Sequence, residues 1–352
     1  MYLKCSVFDY KTDLEKQRVL FADAFSEVDD KSVETYNWLF RQFPGNNKNS
    51  YEYCSFIGDE MVGYYAALPY PYKIAETQTE AAMVCGVMTS SKHRGKGIFT
   101  QLGRFSTSEL ANYLPFTTGY PIRKGVIPGH LKVGWKIAFE LPLYIKFLRS
   151  DSILASKKLS IFKFIANPLL ALYNSLRKTS TNSKYSIEIY NDINQISGYD
   201  TFVHEWLKSV SNGLIKDIKF ANWRYGRPGS NYNFVTIWNT GRLVGFASYC
   251  KTKKEGVPSY CVLDLFTLPN YKDCVCHIYR FLTTDAKKEE IEAIMFMMSK
   301  HSAKYYRVTM NGFFRSPYRF SLIIKNLTDQ FSDEILMNEK NWHLMWVDSD
   351  DL

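Results

Sequence analysis

At 352 residues the chain exceeds what one compact core serves and suits two domains of ordinary size. A hydrophobic fraction of 46% and an aromatic fraction of 16% exclude long disordered stretches and favour strands and walled pockets. The net charge of +9 attracts polyanions. No zinc-finger spacing, RNP-like run or basic-region heptad is present, which argues against nucleic acid and for a phosphate-rich small ligand.

The first residues, MYLKCSVFDYKTDLEKQR, lack a basic region followed by an apolar core, so they do not read as a signal peptide. No run approaches the roughly 18 apolar residues of a membrane span, and a cytoplasmic location is expected. Helical periodicity covers Leu14 to Phe25 and again Val33 to Phe43, the second stretch stopping at Pro44. Tyr51 to Ile57 and Met61 to Leu68, separated by Gly58 and Asp59, predict a hairpin. Ala82 to Thr89 reads as a short apolar strand that runs into a glycine-rich turn. A helix from Ile98 to about Tyr113 and a buried strand over Phe116 to Gly119 follow.

The turn carries the most chemistry. A pyrophosphate needs several backbone N–H groups converging with no side chain in the way, and glycines opening a helix supply them together with the helix dipole. Gly95 and Gly97 are the permissive positions, Arg94 and Lys96 add charge, and the N–H groups from Lys96 through Ile98 and Phe99 to Thr100 face the phosphates.

Beyond residue 150 the sequence changes character. From Ser152 to Lys184, Phe162, Ile165, Leu169, Leu172 and Leu176 fall at near-helical spacing among Lys157, Lys158, Lys163, Arg177 and Lys178. Two uses fit this segment: helices packed between two halves, or a basic amphipathic contact with a membrane surface through 153–178. Pro168 should kink or divide it, and the polar run at 179–183 reads as a linker.

A second block, 185–352, echoes the first. Trp38 with Pro44 is matched by Trp223 with Pro228, Val62-Gly63 by Val244-Gly245, and Gly134 by Gly312, each pair about 180 residues apart. The expected domains are therefore 1–150, a connector over 151–184, and 185–352. The seven cysteines, at 5, 54, 85, 250, 261, 274 and 276, form no CxxC pair; reduced thiols and no metal site are expected.

The run Val87-Met88-Thr89-Ser90-Ser91-Lys92-His93-Arg94-Gly95-Lys96-Gly97-Ile98 closely resembles motif A of the GNAT superfamily of N-acetyltransferases, whose loop reads R/Q-x-x-G-x-G/A. Phe99 stands where the pattern has Gly or Ala. Leu131 to Trp135 resembles the family's K-L-G-F segment. The resemblance implies an α/β fold of mixed (α+β) type, two GNAT-like domains each with a central mixed sheet flanked by helices. It also implies acetyl-CoA as cosubstrate and direct transfer to a primary amine.

The fourth strand, with Val87 and Met88, would align the pantetheine. The family commonly places a tyrosine four residues before the K-L-G-F glycine, where it protonates the leaving thiolate; His130 occupies that place, with Tyr120 and Tyr144 as alternatives. Glu80 is the first choice of base, against Glu140, Asp264, Asp348, Asp350 and Asp351. Cys85 is expected to pack in a strand. The second block's equivalent turn, Leu268 to Asp273, lacks glycines and reads as a degenerate copy, with Tyr225, Asp264, His277, Arg307, Arg315 and Arg319 to wall an acceptor pocket. An amino sugar on a nucleotide or lipid carrier is the lead acceptor. A protein amine, or a module that binds acyl-CoA without turnover, are the alternatives.

Overall fold

The computed structural model describes residues 2–25, 32–121, 124–177 and 183–352; Lys178 and the 179–182 part of the expected linker lie outside the described residues. The chain opens with β1 (Lys4–Val7), α1 (Tyr10–Ala24), α2 (Val33–Arg41), β2 (Tyr51–Ile57), β3 (Glu60–Ile74) and β4 (Thr77–Thr89). Next come α3 (Ile98–Leu110), β5 (Phe116–Gly119), α4 (Ile127–Lys132) and β6 (Lys136–Phe147). Two helices follow, α5 (Asp151–Ser156) and α6 (Lys163–Leu176). Then come β7 (Ser186–Tyr190), α7 (Tyr199–Leu207), β8 (Asn212–Leu214), α8 (Ile218–Tyr225), β9 (Tyr232–Asn239), β10 (Arg242–Lys254) and β11 (Val257–Thr267). The last elements are α9 (Val275–Lys288), β12 (Ala293–Met297), α10 (Lys300–Tyr305), β13 (Phe314–Asn326), α11 (Asp333–Leu336) and β14 (Trp342–His343).

These elements form two units: residues 1–139 with 321–341, and residues 140–320 with 342–352. The divide falls inside β6 and inside β13, not in the 151–184 segment.

In the first unit β1, β2, β3 and β4 pair antiparallel in that order. β5 lies parallel to β4, and the Ile323–Asn326 end of β13 closes the sheet against β5. The second unit repeats the pattern: β7, β9, β10 and β11 antiparallel, β12 parallel to β11, and the Leu143–Phe147 end of β6 closing the sheet. In each unit the last of these strands is thus one whose other half belongs to the other unit.

The three sequence echoes have three physical causes. Trp38 and Trp223 lie on corresponding helices, α2 and α8. A Cβ on Gly63 would stand 2.5 Å from Ser55 Oγ and 3.0 Å from Ile98 Cγ2, so the strand must be bare there for α3 to approach. Gly245 meets Cys274 Sγ at 2.7 Å in the same way. Gly134 and Gly312 hold φ of +92° and +88°, each just ahead of the strand that crosses to the other unit.

The first unit's core is the face of its sheet under α3. Ile98, Leu102 and Leu110 fall on one side of that helix, and Leu102 and Leu110 join Tyr53, Tyr65, Val84 and Trp135 in one buried cluster. Full burial of a leucine side chain contributes about 2 kcal/mol.

Three local expectations differ from the structure. α1 begins at Tyr10 rather than Leu14, because the Asp9 side chain caps it by accepting from Lys11 N at 2.9 Å. β3 runs on through Pro69 and Pro71 to Ile74, staying paired with β4 over that length although its pairing with β2 ends at Ala67. α6 continues through Pro168, and the chain breaks instead between α5 and α6, where Lys158 takes a left-handed φ of +59°.

Candidate functional site

The strand before the glycine turn is not regular. Tyr64 pairs with Met88 and Ala66 with Cys85, so three steps on β4 oppose two on β3. This bulge is centred on Gly86, at φ +61°, where a Cβ would meet Phe40 Cζ at 3.3 Å. Pairing of β4 with β5 stops at Val84 and Gly119. Past that point Val87, Met88 and Thr89 line a cavity of about 620 Å³.

The second wall of the cavity is the turn itself. Arg94, Gly95, Gly97, Ile98, Phe99 and Thr100 all line it; Lys96 does not, its ammonium lying 3.3 Å from His93 Nδ1 on the exposed side. Gly95 and Gly97 have φ of +79° and +80°, which an L side chain rarely adopts. A Cβ on Gly95 would meet nothing within 4 Å, so the bare backbone there faces open space rather than protein. Gly97 is the N-cap of α3 and brings no side-chain hydrogen bond to the helix end, so the first-turn N–H groups are available to an anion.

Asp23 of α1 secures this turn from below, accepting from Ser91 N at 2.7 Å and Ser91 Oγ at 2.6 Å. Those hydrogen bonds hold the Asp23 carboxyl below its usual range. Ala24 and Phe25 then reach the cavity from the end of the same helix.

α4 supplies the third wall through Gly129 and Lys132. The Phe99 ring turns towards this helix: a Cβ on Gly129 would lie 2.7 Å from Phe99 Cδ1. The His130 ring stands edge-on to Phe99 at 4.9 Å and to Trp135 at 4.9 Å. His130 is buried, and desolvation pushes its pKa down to about 4. At neutral pH it is therefore an uncharged ring in an aromatic stack, not an imidazolium.

The structure does not bring Glu80 to the cavity. It lies seven residues before Val87 on β4, a separation of roughly 20 Å along an extended strand, and accepts from Asn46 N at 3.1 Å. Tyr120 follows directly on Gly119, at the point where β5 and β4 part, and is buried. Cys85 is buried in β4 beside the bulge.

The other carboxylates are engaged in the second unit. Lys216 Nζ, fully buried, donates to Asp264 at 3.0 Å and Asp348 at 3.3 Å. Burial pushes both carboxyls up against the opposing pull of Lys216. Asp351 accepts from Lys254 and Trp346, and Glu140 from Arg319 at 2.8 Å. Asp350 is exposed. Tyr225 bonds Ser248 Oγ at 2.8 Å, and Arg315 lies 4.0 Å from Glu140. Tyr144 and His277 are buried, and Arg307 carries a left-handed φ of +52°.

At the second unit's counterpart of the glycine turn, Leu268 N donates to Val244 O at 3.0 Å, as Ser90 N does to Val62 O at 2.9 Å. The chain then winds into a 3₁₀ turn over Pro269–Cys274, where no glycine leaves bare backbone and Asp273 is held by Tyr185 and Lys184. Nothing there offers a phosphate cradle. Among the described residues no group of three or more His, Cys, Asp or Glu side chains is placed to hold a metal.

One polar cluster escaped the sequence reading. Glu52, buried in β2, accepts from Tyr36, Tyr64 (2.5 Å), Arg41 (2.5 Å) and Ser50 (2.7 Å). Tyr64 pairs with Met88 and touches the Gly86 bulge, so this network braces the strand that lines the cavity. The signal was a lone carboxylate between tyrosines in a buried strand, YEYCSFI.

Residues 10–138 match the family described as acetyltransferase (GNAT) domain. By sequence, no curated protein matches the chain significantly. Among solved structures it is similar to a probable N-acyltransferase from Enterococcus faecalis, at 10% identity and a TM-score of 0.66, covering 93% of this chain and 73% of that one. A GCN5-related N-acetyltransferase from Anabaena variabilis gives 12% and 0.67, covering 93% and 74%. Saccharomyces cerevisiae N-myristoyltransferase, with bound myristoyl-CoA, gives 12% and 0.60, covering 92% and 80%. At such identities these likenesses establish the fold. With the bulged fourth strand and the glycine turn at the head of α3, the match makes residues 10–138 similar to a GNAT acetyltransferase domain.

Proposed function

We propose that the first unit binds acyl-CoA and transfers its acyl group to a primary amine. The observation that carries this reading is one cavity formed jointly by bare positive-φ glycines at a helix start and by a bulged strand released from its parallel neighbour. Acyl-CoA in this cavity would bring a thioester carbonyl open to attack by an amine. The N–H groups after Gly95 and Gly97 hold its pyrophosphate, Arg94 adds charge, and the backbone of Val87 to Thr89 lines up the pantetheine.

Tyr120 is our choice of proton donor to the departing sulfur, because it sits where β4 and β5 part and His130 is uncharged in its aromatic stack. His130 instead holds Phe99 in place. Acetyl is the first acyl group to try; the N-myristoyltransferase neighbour makes a longer chain the second. An amino sugar on a nucleotide or lipid carrier is the lead acceptor, ahead of a protein or peptide amine.

A second reading is an acyl-CoA-holding module without turnover. It is favoured by one observation: among the described residues lining the cavity there is no Asp or Glu to deprotonate an ammonium. Calorimetric titration with acetyl-CoA, followed by free-thiol release across amino sugars, polyamines and peptides, separates the two. Binding with release supports transfer. Binding without release from any acceptor supports the module, and failure to bind acetyl-CoA or CoA overturns both.

A further inference from the structure

α6 of the second unit is amphipathic in the inverted sense. Its polar residues face the protein: Asn174 is buried and donates to Phe147 O at 2.9 Å, and Asn167 accepts from Ser150 N at 2.8 Å. Its apolar residues face out. Phe164 is 74% exposed, Ile165 62%, Leu169 60%, Leu172 57% and Leu176 76%, and Ile161 in the preceding turn is 76% exposed. From Ile161 through 165, 169, 172 and 176 the spacing draws one stripe along one face. A helix at a protein–water boundary buries such a stripe. Lys157, Lys158 and Arg177 stand exposed at the two ends of the helix, and Lys163 lies over the Phe164 ring.

The inner side of α6 borders a cavity of about 400 Å³ in the same unit, lined by Lys146, Asn174, Arg177, Arg280 and Lys287, with no Asp or Glu among the described residues that line it. Lys146 is 95% buried, since only 5% is exposed; its ammonium donates to Asn311 O at 3.1 Å, and among the described residues no carboxylate pairs with it. Burial and the neighbouring Lys287 push its pKa down to about 8. Asn174 Oδ1 and Thr283 Oγ1 are also buried without partners. A cation withdrawn from water with no counter-charge is costly unless an anion joins it.

One surface meets both demands, an apolar stripe needing a hydrocarbon boundary and a cationic cleft needing an anion beside it. We propose that the second unit docks on an anionic lipid bilayer, the outer face of α6 seated at the headgroup–acyl boundary and a lipid phosphate in the Lys146–Arg280–Lys287 cleft. A second copy of the chain would satisfy the stripe but would bring two cationic rims together. No helix among the described residues is long and apolar enough to cross a membrane, so the contact is interfacial.

The test is co-sedimentation of the full chain with vesicles of phosphatidylglycerol and phosphatidylcholine in equal amounts, and with phosphatidylcholine alone. The chain should pellet with the mixed vesicles and remain in solution with the neutral ones. Leu169→Glu with Leu172→Glu, both at exposed positions, should abolish pelleting with an unchanged melting temperature. Lys287→Gln should weaken the partition about fivefold, the equivalent of about 1 kcal/mol per basic residue.

Failure to pellet with anionic vesicles, equal binding to neutral ones, or undiminished binding of the double-glutamate variant would each overturn the proposal. So would a dimer by light scattering that the same variant turns into a monomer without any vesicle binding. Thermal stabilisation by inorganic phosphate without vesicle binding would make the cleft a soluble-anion site instead.

Discussion

The Phe99 ring lies where a side chain on Gly129 would begin: a Cβ there would stand 2.7 Å from Phe99 Cδ1. The residue that departs from the family's loop pattern is thus accommodated by a glycine thirty positions on, and the pair sets one wall of the cavity. Gly129→Ala should push the ring towards the bound cosubstrate and weaken acetyl-CoA affinity about tenfold, roughly 1.4 kcal/mol. Phe99→Leu in the Gly129→Ala background should restore most of it. Calorimetry on the four combinations measures the coupling, and additive losses would show that the two residues act independently.

Gly97→Glu places a carboxylate and a strained φ of +80° at the head of α3. Strain of about 1–2 kcal/mol leaves the fold intact, while the side chain blocks and repels a pyrophosphate. Acetyl-CoA should no longer raise the melting temperature of this variant. Gly95→Ala, whose Cβ meets nothing, should bind only a fewfold more weakly.

His130 links stability to pH. Its folded pKa, pushed down to about 4 by burial, lies below the 6.5 of a free histidine, so the unfolded chain binds the proton more readily. The stability it confers is intact above pH 6.5 and is lost as pH falls from 6.5 through 4, by about 3 kcal/mol at the lower end. His130→Phe should melt with a smaller decline over that window than the parent. If His130 were instead the proton donor, turnover at pH 7 would collapse in this variant while acetyl-CoA affinity held.

Lys216 sits between Asp264 and Asp348 with all three side chains fully buried. Lys216→Met leaves two facing carboxylates without a cation and should cost about 3–5 kcal/mol. Without the lysine, both folded pKa values rise further above their unfolded values, so acid should restore stability to the variant. Melting temperatures at pH 7 and pH 5 check this, the deficit shrinking at the lower pH.

The sequence was most readable where one residue type has a single physical use. Gly95 and Gly97 announced a positive-φ turn at a helix start, and Gly63 with Gly245 announced the repeat because a helix must press on bare strand at both places. Glu80 misled because proximity in sequence to the fourth strand is not proximity to its bulged end. The bulge at Gly86 has no local signature, and the lone Glu52 between tyrosines marks a buried carboxylate without naming the partners that Tyr36, Arg41 and Tyr64 supply. The crossing of β6 and β13 was invisible for a similar reason: hydrophobic periodicity says that a strand forms, not which sheet receives each end.

That crossing dictates when the first unit can be completed. Thr117 Oγ1 donates to the Lys325 carbonyl across 208 residues of chain, and β5 gains its outer neighbour only from Ile323–Asn326. At a synthesis rate of about 5–20 residues per second, β5 would wait roughly 10–40 s after emerging from the ribosome. During that interval it is an open edge, the geometry most prone to pairing with the wrong strand. Synthesis of β13, rather than emergence of the first 150 residues, marks the moment the first unit's sheet can close.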